Sequence, residues 1–359
     1  MNIQIAPLSE KDLKPIPKEF SFGGAFSNRM FIQEYTKATG WHNAQIRAYG
    51  PVSLDPATAV LHYAQEIFEG TKAYRRPDGN INLFRPLENT KRFNVSAQRM
   101  AMPTVDEDFH LEAICKLVEL EHEWVPEAPA ALYIRPFMFA SRPSLVVVAS
   151  DRYLHLVIVG PVGPYFPQGF KPIPVYISDK YRRAVKGGVG AAKTGGNYAA
   201  SLMVGEEAIA KGYSQVLWLD ALEGRYVEEV GAMNICFVYE GKRLVTPPLS
   251  GSILAGVTRS SVLELGKDLG YDVAEEPVDV HELLAGIESG KVTEVFGCGT
   301  AAVIAPVGRF GYAGKDYLIH DNETGPVAKH LYDELTGIQF GTVEDRFGWV
   351  HTVKVPEHV

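Results

Sequence analysis

Cysteine is scarce in this chain of 359 residues, and its three thiols, Cys115, Cys236 and Cys298, lie far apart without any C-x-x-C pair. An odd number of isolated cysteines argues against a disulfide framework and against a cysteine-based zinc site. We therefore expect three buried, unreactive thiols in a reducing compartment. The ten histidines show neither H-E-x-x-H nor H-x-x-E-H spacing, so the sequence predicts no metal ion.

Long apolar segments are also lacking. The two most apolar stretches, residues 145–149 and 154–159, are each the length of a strand and are separated by polar residues. Neither approaches the length that a membrane span requires. Residues 1–24 lack the apolar core of a signal peptide. These absences favour a cytoplasmic protein without a membrane partner.

Charge of one sign does not dominate any part of the chain. No run of lysine or arginine stands out among the 35 basic and 43 acidic residues, and the net charge is −8. A nucleic-acid partner is therefore not expected. The composition, 46% hydrophobic and 22% charged, is ordinary for a globular protein and suits a metabolic enzyme that acts on small molecules.

The length of the chain predicts two domains. The segment 161–174 is rich in proline and glycine, and this punctuation marks the clearest boundary. We place a smaller α/β domain at residues 1–166, an interdomain linker at 167–180 and a larger domain at 181–359.

Hydrophobic periodicity predicts helices and strands in both halves, and therefore a mixed α/β fold. Apolar residues recur at helical spacing in the segment 107–124, which predicts an amphipathic helix. A second helix is predicted over 257–269, with Gly270 as its end. Strands are predicted at residues 81–84, 132–135, 145–149, 154–159, 174–177, 215–219, 232–239, 243–245 and 294–297.

The most informative segment is the loop of residues 186–198, where Lys193 lies between two glycine-rich runs. Glycine permits close backbone approaches that a Cβ would block, so such a loop suits a bulky polar ligand. The segment nearly matches the nucleotide-binding motif G-x-x-x-x-G-K-[ST]. However, Ala192 replaces the last glycine, and the next helix would have to begin on Gly195 and Gly196, which are poor helix formers. A flexible surface loop with an inert lysine is the plainer alternative.

A nucleophilic lysine is the third interpretation, and it needs partners elsewhere in the chain. Its amine must lose a proton at working pH, through burial or through a nearby cation. If the carbonyl that it attacks is pyridoxal phosphate, the site also needs a carboxylate for the pyridine nitrogen, a donor for the ring oxygen and an anion site for the phosphate.

Candidates for these partners exist on both sides of the loop. Glu229 opens an apolar strand, where a charge without a partner would be costly, whereas Glu228 is more simply interpreted as a solvated turn residue. The small-residue loop that ends at Thr258 suits an anion, although an ordinary helix cap at Thr258 is the more common explanation. Arg92 is either a phosphate ligand or a surface arginine. The turn at residues 299–301 is a second, weaker donor-rich segment.

Seven segments taken together, and in this order, resemble branched-chain amino-acid aminotransferases, which are fold-type IV pyridoxal-phosphate enzymes. The resemblance spans roughly residues 20 to 310, and no single segment decides it. The segments are residues 68–74, 133–136, 160–166, 186–198, 229–234, 246–259 and 296–301.

The resemblance implies a two-domain α/β (α+β) fold of the fold-type IV aminotransferase architecture, with the active site between the domains. It also implies the cofactor pyridoxal 5′-phosphate, bound mainly by the larger domain. Lys193 would form the Schiff base and shuttle protons, Tyr198 would hydrogen-bond the ring oxygen, and Glu229 would pair with the pyridine nitrogen. The residues implied for the phosphate are Arg92, Val257, Thr258 and Thr300.

The same resemblance assigns a substrate pocket and a homodimer. Aromatic side chains suit an aliphatic substrate, while Arg135 suits the second carboxylate of glutamate. Tyr63 and Val147, counted with the substrate-binding positions, match residues that reach across a dimer interface. The remaining pocket residues are Phe26, Phe68, Tyr133, Arg135, Tyr165, Ala232, Thr300 and Ala301.

The implied reaction exchanges an amino group between L-leucine, L-isoleucine or L-valine and 2-oxoglutarate, giving branched 2-oxo acids and L-glutamate. A D-amino-acid aminotransferase and an aminodeoxychorismate lyase are the nearest alternatives, but Arg135 and the long N-terminal arm favour the branched-chain group. A P-loop-like nucleotide binder and a non-catalytic protein of the same fold are the alternatives from other classes.

Overall fold

The computed structural model describes residues 2–166 and 168–355. The chain divides into two compact units. The first combines Met1–Tyr165 with Ala192–Gly195 and Gly337–Val359, and the second combines Phe166–Ala191 with Gly196–Thr336. Each unit contains its own β-sheet, which confirms the mixed α/β fold predicted from the sequence.

The sheet of the first unit is almost entirely antiparallel. Its strands, among the described residues, are β1 (Gln4–Ile5), β2 (Arg29–Thr36), β3 (Gly40–Ala48), β4 (Glu66–Phe68), β5 (Thr71–Arg75), β6 (Ile81–Phe84), β7 (Ala131–Ala140), β8 (Arg152–Val162) and β18 (Val350–Val353). They lie in the order β1-β3-β2-β8-β7-β5-β6-β18, and β4 pairs beside β7. Only the β1–β3 pair in this described sheet is parallel.

Helices that accompany this sheet are α1 (Ala59–Tyr63), α2 (Pro86–Arg99) and α3 (Glu107–Leu120). Helix α3 begins where the Asp106 side chain accepts a hydrogen bond from the amide of Phe109, which satisfies an end amide of the helix. Ile114 and Leu117 on its apolar face join Phe31 of the sheet in one buried core. Burial of each such side chain contributes about 1.5–3 kcal/mol.

The sheet of the second unit mixes parallel and antiparallel pairs. Its strands, within the described part of the chain, are β9 (Ile173–Ile177), β10 (Gln215–Leu219), β11 (Val227–Val230), β12 (Asn234–Tyr239), β13 (Arg243–Thr246), β14 (Asp272–Glu275), β15 (Val292–Gly299), β16 (Val303–Tyr312) and β17 (Lys315–Leu318). The order is β11-β10-β9-β16-β15-β12-β13-β14, and β17 pairs beside β16.

The remaining helices are α4 (Gly196–Ala199), α5 (Leu202–Ala210), α6 (Val257–Asp268), α7 (Val280–Glu288) and α8 (Pro326–Phe340). The first turn of α8 is held by the buried carboxylate of Glu294, which accepts hydrogen bonds from the amides of Val327 (3.0 Å) and Ala328 (2.9 Å). A carboxylate at a helix N-terminus satisfies end amides and interacts favourably with the helix dipole. Among the described residues, no helix has both the length and the apolarity needed to cross a membrane.

The strand predicted at residues 145–149 is wrong. This segment is irregular, and the side chains of its four large apolar residues, Leu145 to Val148, are 57–78% exposed. The cause is topological: β7 and β8 pair directly with each other, so the segment that joins them is a loop with no neighbouring strand to bond. An apolar, β-branched sequence indicates a strand only where such a partner exists.

Other boundaries differ from the prediction at their ends. The helix predicted over 107–124 ends at Leu120 and is followed by a single 3₁₀ turn, His122–Trp124. Strand β12 begins at Asn234 rather than at residue 232, because Gly231 has a positive φ of 56° in the tight turn that precedes the strand. The strands at 81–84 and 215–219 match β6 and β10.

The predicted domain limits also differ from the two units. The segment 167–180, predicted as a linker, contains β9, which lies inside the second sheet between β10 and β16. Residues from Gly337 onward belong to the first unit, because β18 pairs with β6 at the edge of the first sheet. The proline and glycine content indicates where the chain passes from one unit to the other. It gives no information about the pairing of β9 with β10 and β16, or of β18 with β6.

The cysteines are free thiols, as expected, but only two of the three are fully buried. Cys236 and Cys298 are buried, whereas Cys115 is partly exposed. Burial nevertheless raises the pKa of the Cys115 thiol to about 11, so the reactive thiolate is disfavoured there.

Candidate active site

The backbone around Lys193 is fixed by hydrogen bonds within the first unit. The Lys193 amide donates to Ser96 Oγ (2.9 Å) on α2, and the Lys193 carbonyl accepts from the amide of Phe68 (3.0 Å) on β4. The next residue, Thr194, donates its hydroxyl to the carbonyl of Glu66 (2.7 Å). The flexible surface loop considered as an alternative is therefore wrong for this part of the segment.

Glu66 also explains a glycine of the loop. The amide of Gly195 donates to Glu66 Oε1 at 2.5 Å. A Cβ at residue 195 would lie 2.0 Å from that same oxygen, so any side chain there would displace the carboxylate. Burial raises the pKa of Glu66, against the Gly195 hydrogen bond and the charge of Arg135.

The amine of Lys193 lies in an environment that disfavours its charged form. Burial lowers the pKa of Lys193 to about 8, and the nearby cation Arg92 contributes to this shift while Glu69 opposes it. The side-chain nitrogen lies 4.6 Å from the centre of the Phe68 ring. An amine with this pKa is neutral in an appreciable fraction of molecules at neutral pH, as a lysine nucleophile requires.

Arg92 is not the surface arginine that the sequence left open. It forms a two-pronged ion pair with Glu69, from Nε to Oε1 (2.7 Å) and from Nη2 to Oε2 (2.8 Å). Asn89, one turn earlier on α2, also donates to Glu69 Oε2 (3.1 Å). Burial alone would raise the pKa of Glu69, but Arg92 and Lys193, with these hydrogen bonds, lower it. The first unit therefore holds an ionised carboxylate between two basic side chains.

Aromatic rings gather beside this cluster. Phe22 packs edge-on against Tyr133 (ring centres 4.8 Å apart) and against Tyr165 (5.4 Å). The Arg135 guanidinium lies over Phe68 (4.7 Å) and donates to the hydroxyl of Tyr133 (3.0 Å). The first unit thus brings together five of the predicted residues: Lys193, Arg92, Phe68, Tyr133 and Arg135. A sixth, Tyr165, packs against Phe22, which also contacts Tyr133.

Three other predicted residues of the first unit make different contacts. Phe26 stacks on Tyr49, with ring centres 5.2 Å apart. Tyr63 donates its hydroxyl to the carbonyl of Leu145 (2.5 Å). Tyr63 is 40% exposed and Val147 is 78% exposed, so both present apolar surface outward.

In the second unit, Glu229 lies in strand β11 and is buried. One carboxylate oxygen, Oε2, forms an ion pair with the Arg183 guanidinium, and the other, Oε1, accepts from Asn234 Nδ2 (3.1 Å). The solvated position inferred for Glu228 is wrong, because Glu228 is also buried in β11 and accepts a hydrogen bond from Ser252 Oγ. Burial raises the pKa of Glu228, opposed by Ser252 and Arg183.

Asn234 connects Glu229 with the beginning of α6. Its amide nitrogen also donates to the carbonyl of Leu254 (2.9 Å), and its Oδ1 would lie 1.9 Å from a Cβ at Gly256. Gly256 is the N-cap of α6, where no side chain supplies a cap hydrogen bond. The cap interpretation of Thr258 is therefore wrong, since Thr258 is the second residue of the helix. The first amides of α6 remain suited to an anion.

The other predicted residues of the second unit lie on turns or a short helix. Cys298 of β15 pairs with Asn234 of β12. Thr300 follows two residues later, so the turn that carries Thr300 and Ala301 lies at the same end of the sheet as Asn234. Ala232 is exposed in the turn before β12. Tyr198 lies in α4, a helix of four residues that begins at Gly196, so a glycine does start a helix here, although only a short one.

Sequence reasoning missed the residues that hold the predicted ones. Glu69 lies in the segment 68–74, where its only signal is a carboxylate between apolar residues and a glycine. Ser96 had a weaker signal, one helical turn beyond Arg92 on the same face of α2. Arg183 is recognised only through contacts with segments that are distant in sequence, whereas Asn234 lies five residues after Glu229 in the segment 229–234.

Residues 66–310 of the chain match the model of the amino-transferase class IV family. The chain belongs to this family. The fold-type IV family inferred from the seven sequence segments is thereby confirmed, and the match begins at Glu66, the residue that anchors the lysine loop.

Comparison with relatives and solved structures shows which members of the class IV family this chain is similar to. It is 51% identical to "Branched-chain-amino-acid transaminase 1" of Bacillus subtilis (strain 168), over 95% of this chain and 96% of the relative. The Escherichia coli branched-chain amino acid aminotransferase structure has a TM-score of 0.74 at 28% identity, covering 90% of this chain and 99% of that one. The branched-chain amino acid aminotransferase of Thermobaculum terrenum, solved in its PLP-form, has a TM-score of 0.76 at 22% identity, covering 92% and 99%. At that lower identity the likeness shows a shared fold.

Proposed function

We propose that this class IV aminotransferase is a branched-chain amino-acid transaminase that uses pyridoxal 5′-phosphate. It exchanges an amino group between L-leucine, L-isoleucine or L-valine and 2-oxoglutarate, giving branched 2-oxo acids and L-glutamate. The observation that carries the proposal is the partly buried Lys193 beside Arg92, with its pKa lowered to about 8, in a chain 51% identical to a branched-chain transaminase over nearly its full length.

The donor groups of the chain fit this cofactor. We assign Arg92 to the phosphate because a guanidinium suits that group. We also assign to it Val257 and Thr258, through the first amides of α6, and Thr300. Tyr198 is assigned to the ring oxygen. Glu229, whose carboxylate is buried and ion-paired, is assigned to the ring nitrogen because a pyridinium is a cation that such a group would bind.

Bound pyridoxal phosphate supplies an electron sink for the charge that develops at the substrate Cα. Lys193 supplies the amine that binds the cofactor covalently and the base that moves the Cα proton. Its pKa of about 8 suits both duties, because the amine both accepts and releases a proton near neutral pH. The hydrogen bonds with Ser96 and Phe68 keep its backbone fixed while the side chain moves.

The aromatic cluster fits a pocket that must accept two kinds of side chain. Phe68, Tyr133 and Tyr165 offer apolar faces for a branched aliphatic group, with Phe26 and Ala232 assigned to the same pocket. Arg135, which already donates to the Tyr133 hydroxyl, offers a cation for the distal carboxylate of glutamate. The amides at Thr300 and Ala301 are assigned to the α-carboxylate.

The exposed loop between β7 and β8 supports the proposal of a homodimer. Four successive large apolar side chains, Leu145 to Val148, lie on the surface together with Tyr63, which contacts the same loop. A continuous exposed apolar patch is typical of an interaction surface. We assign Tyr63 and Val147 to the contact with the second copy. The cytoplasmic location inferred from the sequence stays a prediction.

The function is tested by incubating the purified protein with pyridoxal phosphate, L-leucine and 2-oxoglutarate and measuring L-glutamate. We expect glutamate and 4-methyl-2-oxopentanoate in equal amounts, and no product from D-alanine. Activity with D-alanine but not with L-leucine would move the chain to another branch of the family. If the protein does not bind pyridoxal phosphate but binds Mg-ATP, and Lys193→Ala abolishes that binding, the nucleotide-binding alternative is favoured instead.

The dimer is tested by placing a charge on the exposed loop. Val147→Asp should shift the protein toward monomers in sedimentation velocity, because a carboxylate cannot be buried there without a partner. The matched control is Leu222→Asp, at an apolar residue of the second unit that is 80% exposed. Equal sedimentation of Val147→Asp and wild type, both dimeric, would remove this loop from the interface.

A further inference from the structure

Arg183 is a buried cation that no pattern in the sequence singled out. Its side chain is 8% exposed, and the Glu229 side chain with which it forms an ion pair is 5% exposed. Both groups therefore lose most of their hydration, which is costly unless geometry and hydrogen bonds compensate. A buried pair of this kind is a weak source of stability, so its value must be sought in what it positions.

The guanidinium holds two segments at once. One nitrogen, Nη2, reaches Glu229 and also donates to the carbonyl of Ser252 (2.6 Å). Ser252 belongs to the loop that leads into α6, and Arg183 itself precedes the lysine loop by only a few residues. The side chain of Arg183 therefore fixes the carboxylate of Glu229 relative to the loop before α6.

The two oxygens of Glu229 have different partners. Arg183 pairs with Oε2, whereas Oε1 accepts from the neutral amide of Asn234 at 3.1 Å. A neighbouring cation stabilises the charged form of a carboxylate, and an amide donor adds a directional hydrogen bond. The combination sets both the charge and the rotamer of Glu229.

We propose that Arg183 is a positioning residue that keeps Glu229 ionised and correctly oriented for the ring nitrogen of pyridoxal phosphate. This inference rests on the function proposed above. Without the guanidinium, the buried carboxylate would take up a proton more readily. A protonated Glu229 would no longer favour a protonated ring nitrogen, and the electron sink at the substrate Cα would weaken.

The neighbouring residue supplies a matched control. Arg182 donates from Nε to the carbonyl of Asp220 (2.9 Å) and from Nη1 to the carbonyl of Tyr181 (3.1 Å). It therefore ties backbone segments of the same unit together, and these hydrogen bonds go to carbonyls rather than to Glu229. Arg182→Gln reports the structural cost of removing a guanidinium from this region.

The experiment titrates each apo-protein with pyridoxal phosphate and with its 1-deaza analogue, in which a C–H group replaces the ring nitrogen. Arg183→Gln should lose tenfold or more in affinity for pyridoxal phosphate relative to wild type, and the loss should grow as the pH falls. It should bind the analogue at least as tightly as wild type does. Arg183→Lys, which keeps the charge but not the fork, should show a smaller loss of the same kind, whereas Arg182→Gln should treat both ligands alike.

Each other outcome decides against the inference. Equal loss of affinity for both ligands in Arg183→Gln would make the role of Arg183 structural only, and an unchanged affinity would remove any role. If Arg183→Gln does not fold, the same comparison is made with Arg183→Lys, where a loss that is equal for both ligands overturns the proposal. A wild-type protein that binds neither ligand would instead overturn the proposed function itself.

Discussion

The surroundings of Lys193 and of Glu229 have opposite effects on the charged form of the side chain. Beside Lys193, burial and the cation Arg92 favour the neutral amine. Beside Glu229, the cation Arg183 favours the ionised carboxylate. Arg92 therefore adds to the effect of burial in lowering the pKa of Lys193, whereas Arg183 favours the ionised form of Glu229. A nucleophilic amine reacts in its neutral form, whereas a carboxylate that pairs with a cation has to stay ionised.

Removal of the Lys193 amine should change the activity more than any other substitution considered. Lys193→Ala should lower the rate of leucine transamination at least about 1000-fold, because both the covalent attachment and the proton transfer are lost. Steady-state assay with 2-oxoglutarate measures it. Lys186→Ala, at an exposed position in the same loop, should remain close to wild type. Appreciable turnover by Lys193→Ala would remove the lysine from its assigned role.

The next effect tests whether the Lys193 cluster depends on its carboxylate. Glu69→Gln should lower the free energy of unfolding of the apo-protein by about 3–5 kcal/mol, because the Arg92 side chain, which is only 11% exposed, would lose its ionised partner. Chemical denaturation measures the change. The control is Glu88→Gln, which breaks the exposed pair between Glu88 and Lys91 and should leave the midpoint almost unchanged. Equal midpoints for the two variants would contradict the importance of burial.

A third measurement follows the charge on Lys193 directly. In the apo-protein, the rate of acylation of Lys193 should rise about tenfold per pH unit below pH 8 and level off above it, because only the neutral amine reacts and its pKa is about 8. Lys91 offers an internal comparison, since its hydrogen bond to Glu88 raises the pKa of this lysine. Peptide mapping follows both sites in one sample. Parallel profiles for the two lysines would show that Lys193 is not perturbed.

The smallest effect belongs to the neutral partner of Glu229. Asn234→Ala should lower the free energy of unfolding by about 1 kcal/mol through the loss of hydrogen bonds and should weaken cofactor binding only a few-fold, since Arg183 still pairs with the carboxylate. Titration of the apo-protein measures the affinity. A loss as large as that of Arg183→Gln would mean that orientation, rather than charge, decides what Glu229 does.

Local patterns predicted much of the fold because many of its elements are encoded locally. Residues 81–84 form a strand that follows a turn, residues 215–219 form a strand with turns on either side, and residues 257–268 form a helix that stops before Gly270. The pattern failed at residues 145–149, where the sequence has the composition of a strand but the topology leaves no strand to pair with. Local patterns also give no information that Ala192–Gly195 and Gly337–Val359 belong to the first unit.

The candidate site divides in the same way. Lys193 and Glu229 were found because glycine-rich loops and charges beside apolar strands are unusual in a sequence. Their charged partners, Glu69 beside Lys193 and Arg183 beside Glu229, resemble ordinary surface residues until tertiary contacts are known. Electrostatic tuning depends on distances across the fold, and a linear pattern does not contain them.

The pairing of β18 with β6 has a consequence for the order in which the polypeptide is made. All residues of the second unit leave the ribosome before Val350–Val353, the strand that covers β6. Until then β6 is an uncovered sheet edge, and such edges invite pairing with other chains. We therefore expect the nascent first unit to expose this edge to pairing with other chains until its distant strand has been made.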